Sequence, residues 1–172
     1  SEVCLRPVAV YRDPFRTCSK TPTWLVLCST WLPSGEPHPD NTRHRAEKVF
    51  AQNIVRDAQP WFGIEQEFFL FSISTSPPCV QNGRYGRPSP GVSPDKYYCG
   101  VGAGCCDPTN RRILEITLRH GLHAGLGITG INLEVAPDQY EVQVRGEGLR
   151  ASDDLQMLRY ILACVAEEEG MR

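Results

Sequence analysis

Two glutamates interrupt one of the most apolar and aromatic segments of the chain, WFGIEQEFFLF at residues 61–71. The aromatic and branched residues favour a β-strand, in which side chains two positions apart share one face. Glu65 and Glu67 are therefore expected to point the same way. Two carboxylates roughly 4 Å apart repel by about 1 kcal/mol in water and by about 4 kcal/mol at an effective dielectric constant of about 20. A shielded strand that carries both acids needs a positive partner for them.

Two interpretations of this glutamate pair are open. The first is an edge strand whose polar face is solvated or paired with arginine or lysine, which is the ordinary arrangement. The second is a site for a hard divalent cation, because such ions take oxygen ligands from carboxylates on a rigid support. The rest of the sequence has to decide between them.

The composition excludes several classes of partner. The chain of 172 residues has 18 lysines and arginines against 20 aspartates and glutamates, and its net charge of −2 does not favour nucleic acid or an anionic membrane. Hydrophobic residues make up 41% of the chain, enough for a packed core in one domain or in part of a larger one. The longest apolar runs, such as TWLVLC, are too short for a membrane span, and no targeting signal is visible. We expect a soluble protein.

The eight cysteines lack the spacing of a metal site or a disulfide framework. No C-x-x-C pair occurs, and the four histidines are not accompanied by a cysteine pair at zinc-finger spacing. Cysteines in apolar segments, such as Cys28 and Cys164, are expected to behave as small buried apolar residues. The pattern predicts a reducing compartment, the cytoplasm or an organelle stroma.

Hydrophobic periodicity and turn residues predict an α+β fold with a mostly antiparallel sheet and packed helices. Between these elements, residues 76–95 are rich in proline, glycine and serine, which indicates a functional loop or partial disorder. Pro137 and Asp138 predict a turn between the last two strands. Strands are predicted within residues 5–15, 23–31, 61–73, 126–135 and 139–145, and helices at 42–57, 108–125 and after Ser152.

The first and last helices are predicted with specific caps and buried faces. Asn41 or Thr42 is expected to cap helix 42–57, and Ser152 to cap the last helix, with Asp153 and Asp154 in its first turn. The apolar stripe of the first helix is expected to be Ala46, Val49, Phe50 and Ile54, and that of the last helix Leu155, Leu158, Ile161, Leu162 and Val165.

The predicted strand, turn and strand near residue 137 contributes two more acids. Glu134 ends one strand and Glu141 lies early in the next, so the turn brings both to the same end of the sheet. Glu141 and Gln143 share one face by the two-residue period. These acids are either solvated ends of a hairpin or, together with the glutamate pair, part of a site for a metal ion and phosphate. The second interpretation fits Mg²⁺, which is held by a few carboxylates while phosphate and water complete its coordination shell.

Several motifs, in order and at comparable spacing, resemble the first half of the catalytic domain of glutamine synthetase of the eukaryotic type. They are RPVAVYRDPFR, WFGIEQE, YYCGVGAG, AGLGITGINLEVAPDQYEVQV and DLQMLRYILACVAEE. The resemblance covers essentially the whole chain, and the loops at about 76–96 and 104–110 are the least similar parts. It implies that residues 1–172 form a partial catalytic domain without the family's small N-terminal domain and without the C-terminal half.

This resemblance implies ATP-dependent ligation of ammonia to glutamate through γ-glutamyl phosphate, with Mg²⁺ or Mn²⁺ as cofactor. The expected partners are glutamate, ammonia and ATP, within a homo-oligomer or a larger complex, and neither nucleic acid nor a membrane. In the family's pattern three glutamates hold one metal, and they match Glu67, Glu134 and Glu141. The second metal takes the acid that matches Glu65, together with a histidine and a glutamate from later in the chain.

The resemblance also assigns residues to the two other substrates. Tyr98, the second tyrosine of YYCG, matches a residue near the ammonium pocket. The strand Glu141, Val142, Gln143 and Val144 is expected to lie along the nucleotide. Arg145 stands where the family has Gly-Pro, on the nucleotide side, and can either pair with phosphate or block it.

Three hypotheses about the whole protein remain open. The chain is a piece of a working glutamine synthetase, a truncated and inactive structural subunit of a larger complex, or an ordinary interaction domain with an accidental acid cluster. A sheet cut out of a larger barrel exposes an edge and an apolar face, so aggregation is expected unless partners cover them.

Overall fold

The computed structural model of the chain describes residues 2–17, 20–71, 98, 101, 108–134 and 139–172. Within these residues lie two antiparallel sheets and four helices, which confirms the predicted α+β class. In chain order the elements are β1 (Cys4–Arg12), β2 (Trp24–Trp31), α1 (Thr42–Phe50), α2 (Asn53–Ala58), β3 (Trp61–Phe69), α3 (Pro108–Ala124), β4 (Ile128–Leu133), β5 (Gln139–Glu147) and α4 (Leu149–Glu168).

The larger sheet has the strand order β3-β5-β4, so β5 is its central strand and pairs antiparallel with both neighbours. Side chains alternate between the two faces of β5. Tyr140, Val142 and Val144 lie on one face, are at most 1% exposed and belong to the core that α3 and α4 complete. The opposite face of β5 is polar, and it carries Gln139, Glu141, Gln143 and Arg145.

Strand β3 is shorter than the predicted range of 61–73. It ends at Phe69, and two residues later Phe71 exchanges a pair of backbone hydrogen bonds with Arg172, at 2.9 and 2.8 Å. The chain therefore leaves the three-stranded sheet after Phe69, and Phe71 pairs with Arg172 instead. The predicted loop at 76–95 and the turn at Pro137 and Asp138 lie outside the described residues.

The predicted helix 42–57 is wrong as a single helix, because the chain breaks at residues 51–52 between α1 and α2. Its predicted cap is confirmed, since the Asn41 side chain accepts a hydrogen bond from the His44 N–H at 3.0 Å. The predicted apolar stripe is not buried: Val49 is 51% exposed and Ile54 is 76% exposed, and Ala46 is only half-buried. Phe50 packs edge to face on Phe62 of β3, with ring centroids 6.0 Å apart.

Helix α4 begins at Leu149, three residues before the predicted cap at Ser152. The residue before the helix is Gly148, whose φ of 53° is a conformation that glycine adopts easily. The predicted cap at Ser152 is therefore wrong, because Ser152 lies inside the helix. Asp153 and Asp154 consequently lie within the helix and are buried, instead of occupying its first turn. Of the predicted stripe, Leu158, Ile161 and Val165 are buried, whereas Leu155 and Leu162 are partly buried.

Helix α3 passes through Gly121 and ends beside Gly125, whose φ of 89° fits the predicted C-terminal glycine. A Cβ at Gly121 would lie 2.3 Å from Ile128 Cδ1, so the glycine permits close packing of α3 on β4. None of the helices within the described residues has the length and hydrophobicity of a transmembrane span.

Two surface predictions have different outcomes. Cys28 and Cys164 are free thiols, as is Cys4, but Cys28 and Cys164 are half-buried and not buried as expected.

The outer face of the β1-β2 sheet carries Val10 opposite Val26, which are 56% and 49% exposed. Aggregation through this apolar face stays a prediction.

Candidate metal centre

The polar face of the three-stranded sheet brings acids from three sequence segments together. In the register of the sheet Glu67 of β3 lies opposite Glu141 of β5, and Asn132 of β4 lies opposite Glu141 on the other side. Glu134 follows the end of β4, and its backbone N–H donates to the Gln139 carbonyl at 2.9 Å. The antiparallel pairing of three strands therefore assembles the acids at one end of the sheet.

Glu67, Glu134 and Glu141 form what we call the acid cluster. Each offers a carboxylate oxygen, and these three oxygens lie within 4.8 Å of one another. Oxygen ligands bind Mg²⁺ at about 2.0–2.1 Å and larger divalent ions at up to about 2.6 Å, so ligands on opposite sides of one ion are roughly 4–5 Å apart. The three residues present therefore fit a single divalent cation in number, chemistry and spacing.

Burial increases across the acid cluster from Glu67 to Glu141. Glu67 is exposed and Glu134 is half-buried, whereas Glu141 is only 3% exposed. Burial raises the pKa of Glu141, the hydrogen bond from Gln143 opposes this rise, and Glu134 and the charge of Glu65 add to it. The cluster thus has a buried floor at Glu141 and an open side at Glu67.

Within the part of the chain that the structure describes, no lysine or arginine forms an ion pair with Glu67 or Glu141. Their hydrogen-bond donors include the neutral amides of Gln139 and Gln143. Glu141 is therefore neither solvated nor paired with a lysine or arginine among the described residues, unlike an acid on an ordinary edge strand.

Glu65 lies beside the acid cluster but is not one of its members. It is exposed on the same face as Glu67 and opposite Gln143 of β5. The structure therefore brings three of the four predicted metal ligands together and leaves the fourth at the margin, two residues along β3. This placement agrees with the face predicted from the two-residue period.

The five residues expected along the nucleotide divide between the two faces of β5. The side chains of Val142 and Val144 are buried in the core, so these residues can meet a ligand only through their backbone. Arg145 is exposed on the polar face, and its guanidinium carbon lies 4.7 Å from the centroid of the Trp61 ring. It lies four residues from Glu141, about 13 Å along the strand.

A cleft of about 420 Å³ lies at this far end of the sheet. Trp61 and Arg145 line it on the side of β3 and β5, and Gly127, Ile128 and Arg150 line it on the side of β4 and α4. The cleft therefore lies at the end of the sheet, where Arg145 of the polar face comes near Arg150 of α4, the helix that packs on the opposite face.

Tyr98 lies near the acid cluster through its backbone. Its carbonyl accepts a hydrogen bond from the N–H of Leu133, the residue before Glu134, at 2.9 Å. Its φ of 65° is left-handed, and its side chain is 53% exposed. The residue predicted for the ammonium pocket is therefore placed beside the end of β4.

Sequence reasoning did not identify Asn132 and Gln139 as neighbours of the acids. Both carry an amide that donates to a cluster carboxylate. The two-residue period contains the signal, because Asn132 precedes Glu134 by two positions and Gln139 precedes Glu141 by two.

Comparison with known proteins gives consistent matches. Residues 39–172 match the family model described as glutamine synthetase, catalytic domain. The chain is 41% identical to a glutamine synthetase of Agaricus bisporus, covering 100% of this chain and 46% of that protein. It is 41% identical to a nodule isozyme of Lupinus angustifolius, covering 99% and 52%, and 40% identical to cytosolic isozyme 1-3 of Arabidopsis thaliana, covering 99% and 46%.

The chain thus spans about half the length of the curated relatives it matches. Among solved structures, it is similar to a crystal structure described as a novel glutamine synthase homolog, with a TM-score of 0.63 and 18% identity. That match covers 100% of this chain and 37% of the other chain, and at this identity it shows the fold alone.

Proposed function

Because the chain belongs to the glutamine synthetase family, through that family's catalytic domain, we propose that it provides the carboxylate part of a metal-dependent site that ligates ammonia to glutamate with ATP. The observation that carries this proposal is the acid cluster, in which three carboxylate oxygens lie within 4.8 Å of one another. Residues 1–172 then form part of a catalytic domain.

Glu67, Glu134 and Glu141 are the residues that would hold one Mg²⁺ or Mn²⁺ ion, and Glu65 would serve a second. A bound divalent ion supplies charge neutralisation and polarisation of phosphoryl oxygens. The chain's own contribution is to orient the carboxylates. Glu141 is fixed in the floor of the cluster by burial, and Glu67 leaves one side open to solvent, where substrate phosphate has access.

The same face of β5 is proposed to receive the nucleotide, along Glu141, Val142, Gln143, Val144 and Arg145. Val142 and Val144 would contribute only backbone, since their side chains are buried. Arg145 is exposed beside a cleft and can approach a phosphate or a ribose hydroxyl, provided that it leaves the Trp61 ring. Tyr98 is proposed to line the ammonium pocket, since its carbonyl hydrogen-bonds to Leu133 next to Glu134.

Several expectations for the whole protein remain part of this proposal, because the chain spans about half the length of its relatives. The resemblance assigns the second metal's other ligands to segments outside these 172 residues. Assembly into a homo-oligomer or a larger complex, and a cytoplasmic location, are proposed by analogy with the family and with the relative named a cytosolic isozyme. The relatives' names support an enzyme over an inactive structural subunit.

The test measures glutamine formed from ¹⁵N-ammonium, glutamate and ATP by the native polypeptide that contains these residues. We expect product only with Mg²⁺ or Mn²⁺ present, and roughly 100-fold less with Glu67→Gln, a loss of about 2.7 kcal/mol in transition-state stabilisation. Glu115→Gln is the matched control, because Glu115 is an exposed acid of α3 and loses the same charge. The absence of product with either metal, or equal rates for Glu67→Gln and the wild type, would overturn the proposal.

A further inference from the structure

We propose that three neutral side-chain amides, which we call the amide shell (Asn132, Gln139 and Gln143), hold the acid cluster in the orientation that binds a divalent ion. This inference rests on the proposed metal site and names residues outside the set of ligands. The residues of the amide shell act by positioning the carboxylates and not by touching the ion.

Each carboxylate of the acid cluster accepts a hydrogen bond from one amide. Gln139 Nε2 donates to Glu67 Oε2 at 2.5 Å, and Gln143 Nε2 donates to Glu141 Oε1 at 2.7 Å. Asn132 Nδ2 donates to Glu134 Oε1 at 3.0 Å. A carboxylate has two oxygens and about four acceptor positions, so one amide bond fixes its rotation and leaves acceptor positions for a metal.

Two of these amides are also bonded to each other. Gln143 Nε2 donates to Asn132 Oδ1 at 3.1 Å in addition to its bond to Glu141. Asn132 Nδ2 donates to the Leu133 carbonyl at 3.0 Å in addition to its bond to Glu134. A continuous chain of hydrogen bonds therefore runs from Glu141 through Gln143 and Asn132 to Glu134, and it couples the acid of β5 to the acid after β4.

The backbone makes room for this chain at one glycine. Gly130 of β4 lies opposite Gln143, and a Cβ at Gly130 would lie 2.7 Å from Gln143 Oε1. A residue with a side chain at this position would displace the Gln143 amide from its place over the strand. The absence of a side chain at Gly130 therefore gives Gln143 the space in which it reaches both Asn132 and Glu141.

The neutrality of the donors matters for the chemistry. An arginine or lysine in these positions would neutralise the carboxylates and compete with a metal ion. An amide satisfies an acceptor and fixes the geometry without removing negative charge. Partners of metal ligands typically contribute 10–100-fold to metal affinity, because they hold the ligand in its bound orientation.

The experiment measures the affinity of the native polypeptide that contains these residues for Mn²⁺ alone by calorimetry, with the unfolding midpoint in EDTA recorded in parallel. We expect Gln143→Leu and Asn132→Ala each to weaken Mn²⁺ binding by about 10-fold or more. Gln139→Ala, at the exposed rim, should weaken it by about 10-fold with the least risk to folding. Gln156→Leu is the matched control, since Gln156 is an exposed amide of α4, and it should leave the affinity unchanged.

The double variant Asn132→Ala with Gln143→Leu separates positioning from general loss of structure. Because the two amides are bonded in series, the double variant should lose less affinity than the product of the single losses. If the amides position the carboxylates, this coupling should appear in the affinity for Mn²⁺ and not in the unfolding midpoint in EDTA. If the amides only stabilise the fold, the unfolding midpoint in EDTA should fall instead.

The possible outcomes distinguish this inference from the proposed function. If Glu141→Gln abolishes Mn²⁺ binding but the amide variants bind as tightly as the wild type, the amide shell has no positioning role and the metal site stands. If the wild type binds no Mn²⁺, the proposed metal site fails, and the inference fails with it. Loss of affinity in the amide variants with retained unfolding midpoints supports both.

Discussion

Two groups of buried carboxylates in this molecule differ in what balances their charge. In the acid cluster, the buried Glu141 accepts from a neutral amide and lies near other carboxylates. On α4, Asp153 and Asp154 are 6% and 1% exposed and lie against arginines. Both aspartates pair with arginines, whereas no lysine or arginine among the described residues pairs with Glu141.

The α4 aspartates bind groups from three other parts of the chain and one arginine of α4 itself. Asp153 accepts two hydrogen bonds from Arg43 of α1, both at 2.8 Å. Asp154 accepts from the Tyr11 hydroxyl at 3.0 Å and from the Gly127 N–H at 2.9 Å, and it pairs with Arg150 at 2.6 Å. Burial and the neighbouring Asp154 carboxylate raise the pKa of Tyr11, so its hydroxyl remains a donor well above neutral pH.

The presence or absence of a paired arginine distinguishes carboxylates that stabilise the fold from carboxylates that are available to bind a ligand. A buried acid with its own cations joins elements of the fold, as Asp153 and Asp154 join α1, β1 and Gly127, the residue before β4, to α4. A buried acid held by neutral donors has no cation to stabilise its charged form, so ionisation raises the free energy of the folded chain until a cation arrives. Substitutions in the two groups should therefore have opposite effects on stability.

The largest effect is expected for Asp154→Ala. It leaves the Tyr11 hydroxyl and the Gly127 N–H without their acceptor, and we expect the free energy of unfolding to fall by about 3 kcal/mol. Arg150 is half exposed and can turn to water, so most of the loss comes from the buried donors. Urea unfolding measures it, with Asp57→Ala at an exposed position as the control. A loss no larger than that of the control would remove the structural role assigned to Asp154.

Arg43→Ala should destabilise the chain by about 2 kcal/mol. It removes both charge-assisted bonds to Asp153 and leaves a buried carboxylate without its cation. Arg45→Ala on the same helix removes an equal charge from an exposed position and should change the free energy of unfolding by less than about 0.5 kcal/mol. Equal effects of the two variants in urea unfolding would show that net charge, and not the Asp153 pair, is responsible.

Glu141→Gln should have the opposite sign in metal-free buffer. The neutral amide removes a buried charge and its repulsion with Glu67 directly opposite, so the free energy of unfolding should rise by roughly 1 kcal/mol. The measurement is urea unfolding in EDTA, with Glu115→Gln as an equal charge change on an exposed surface. Destabilisation by Glu141→Gln as large as that by Asp154→Ala would erase the contrast between the two groups.

The smallest effect concerns pH and Asp13, a third carboxylate with its own cation. Burial favours a higher pKa for Asp13, but hydrogen bonds from Arg16 and from the Phe15 N–H, with the charge of Arg16, lower it below the ordinary 3.8. The folded state therefore gains stability above that value, and this gain is lost as the pH falls through the lowered pKa. Asp13→Asn should flatten the fall of the unfolding midpoint below about pH 4. An unchanged slope would contradict this account.

The two groups also differ in how far the sequence predicts them. The faces of Glu65, Glu67, Glu141 and Gln143 follow from the two-residue period of a strand. These are local properties, and the structure has the strands and faces that they predict. The identity of the bound ion and the path of the nucleotide stay predictions.

The role of the α4 aspartates was not predictable in the same way. Asp153 and Asp154 after Ser152 have the pattern of a helix N-terminus, and this local signal gave the wrong start for α4. Their partners Arg43 and Tyr11 lie 110 and 143 residues away in sequence, so only the tertiary fold reveals them. The break between α1 and α2 was also not predictable from the local pattern: Phe50 packs on Phe62, whereas Val49 and Ile54 are more than half exposed in the described structure.

The most direct test of the metal site is a crystal of the chain soaked in MnCl₂ and measured at an X-ray energy where Mn²⁺ scatters anomalously. We predict an anomalous peak roughly 2.0–2.6 Å from carboxylate oxygens of Glu67, Glu134 and Glu141, and its absence in crystals of Glu141→Gln. Anomalous density that lies elsewhere, or that persists unchanged in Glu141→Gln, would contradict the account.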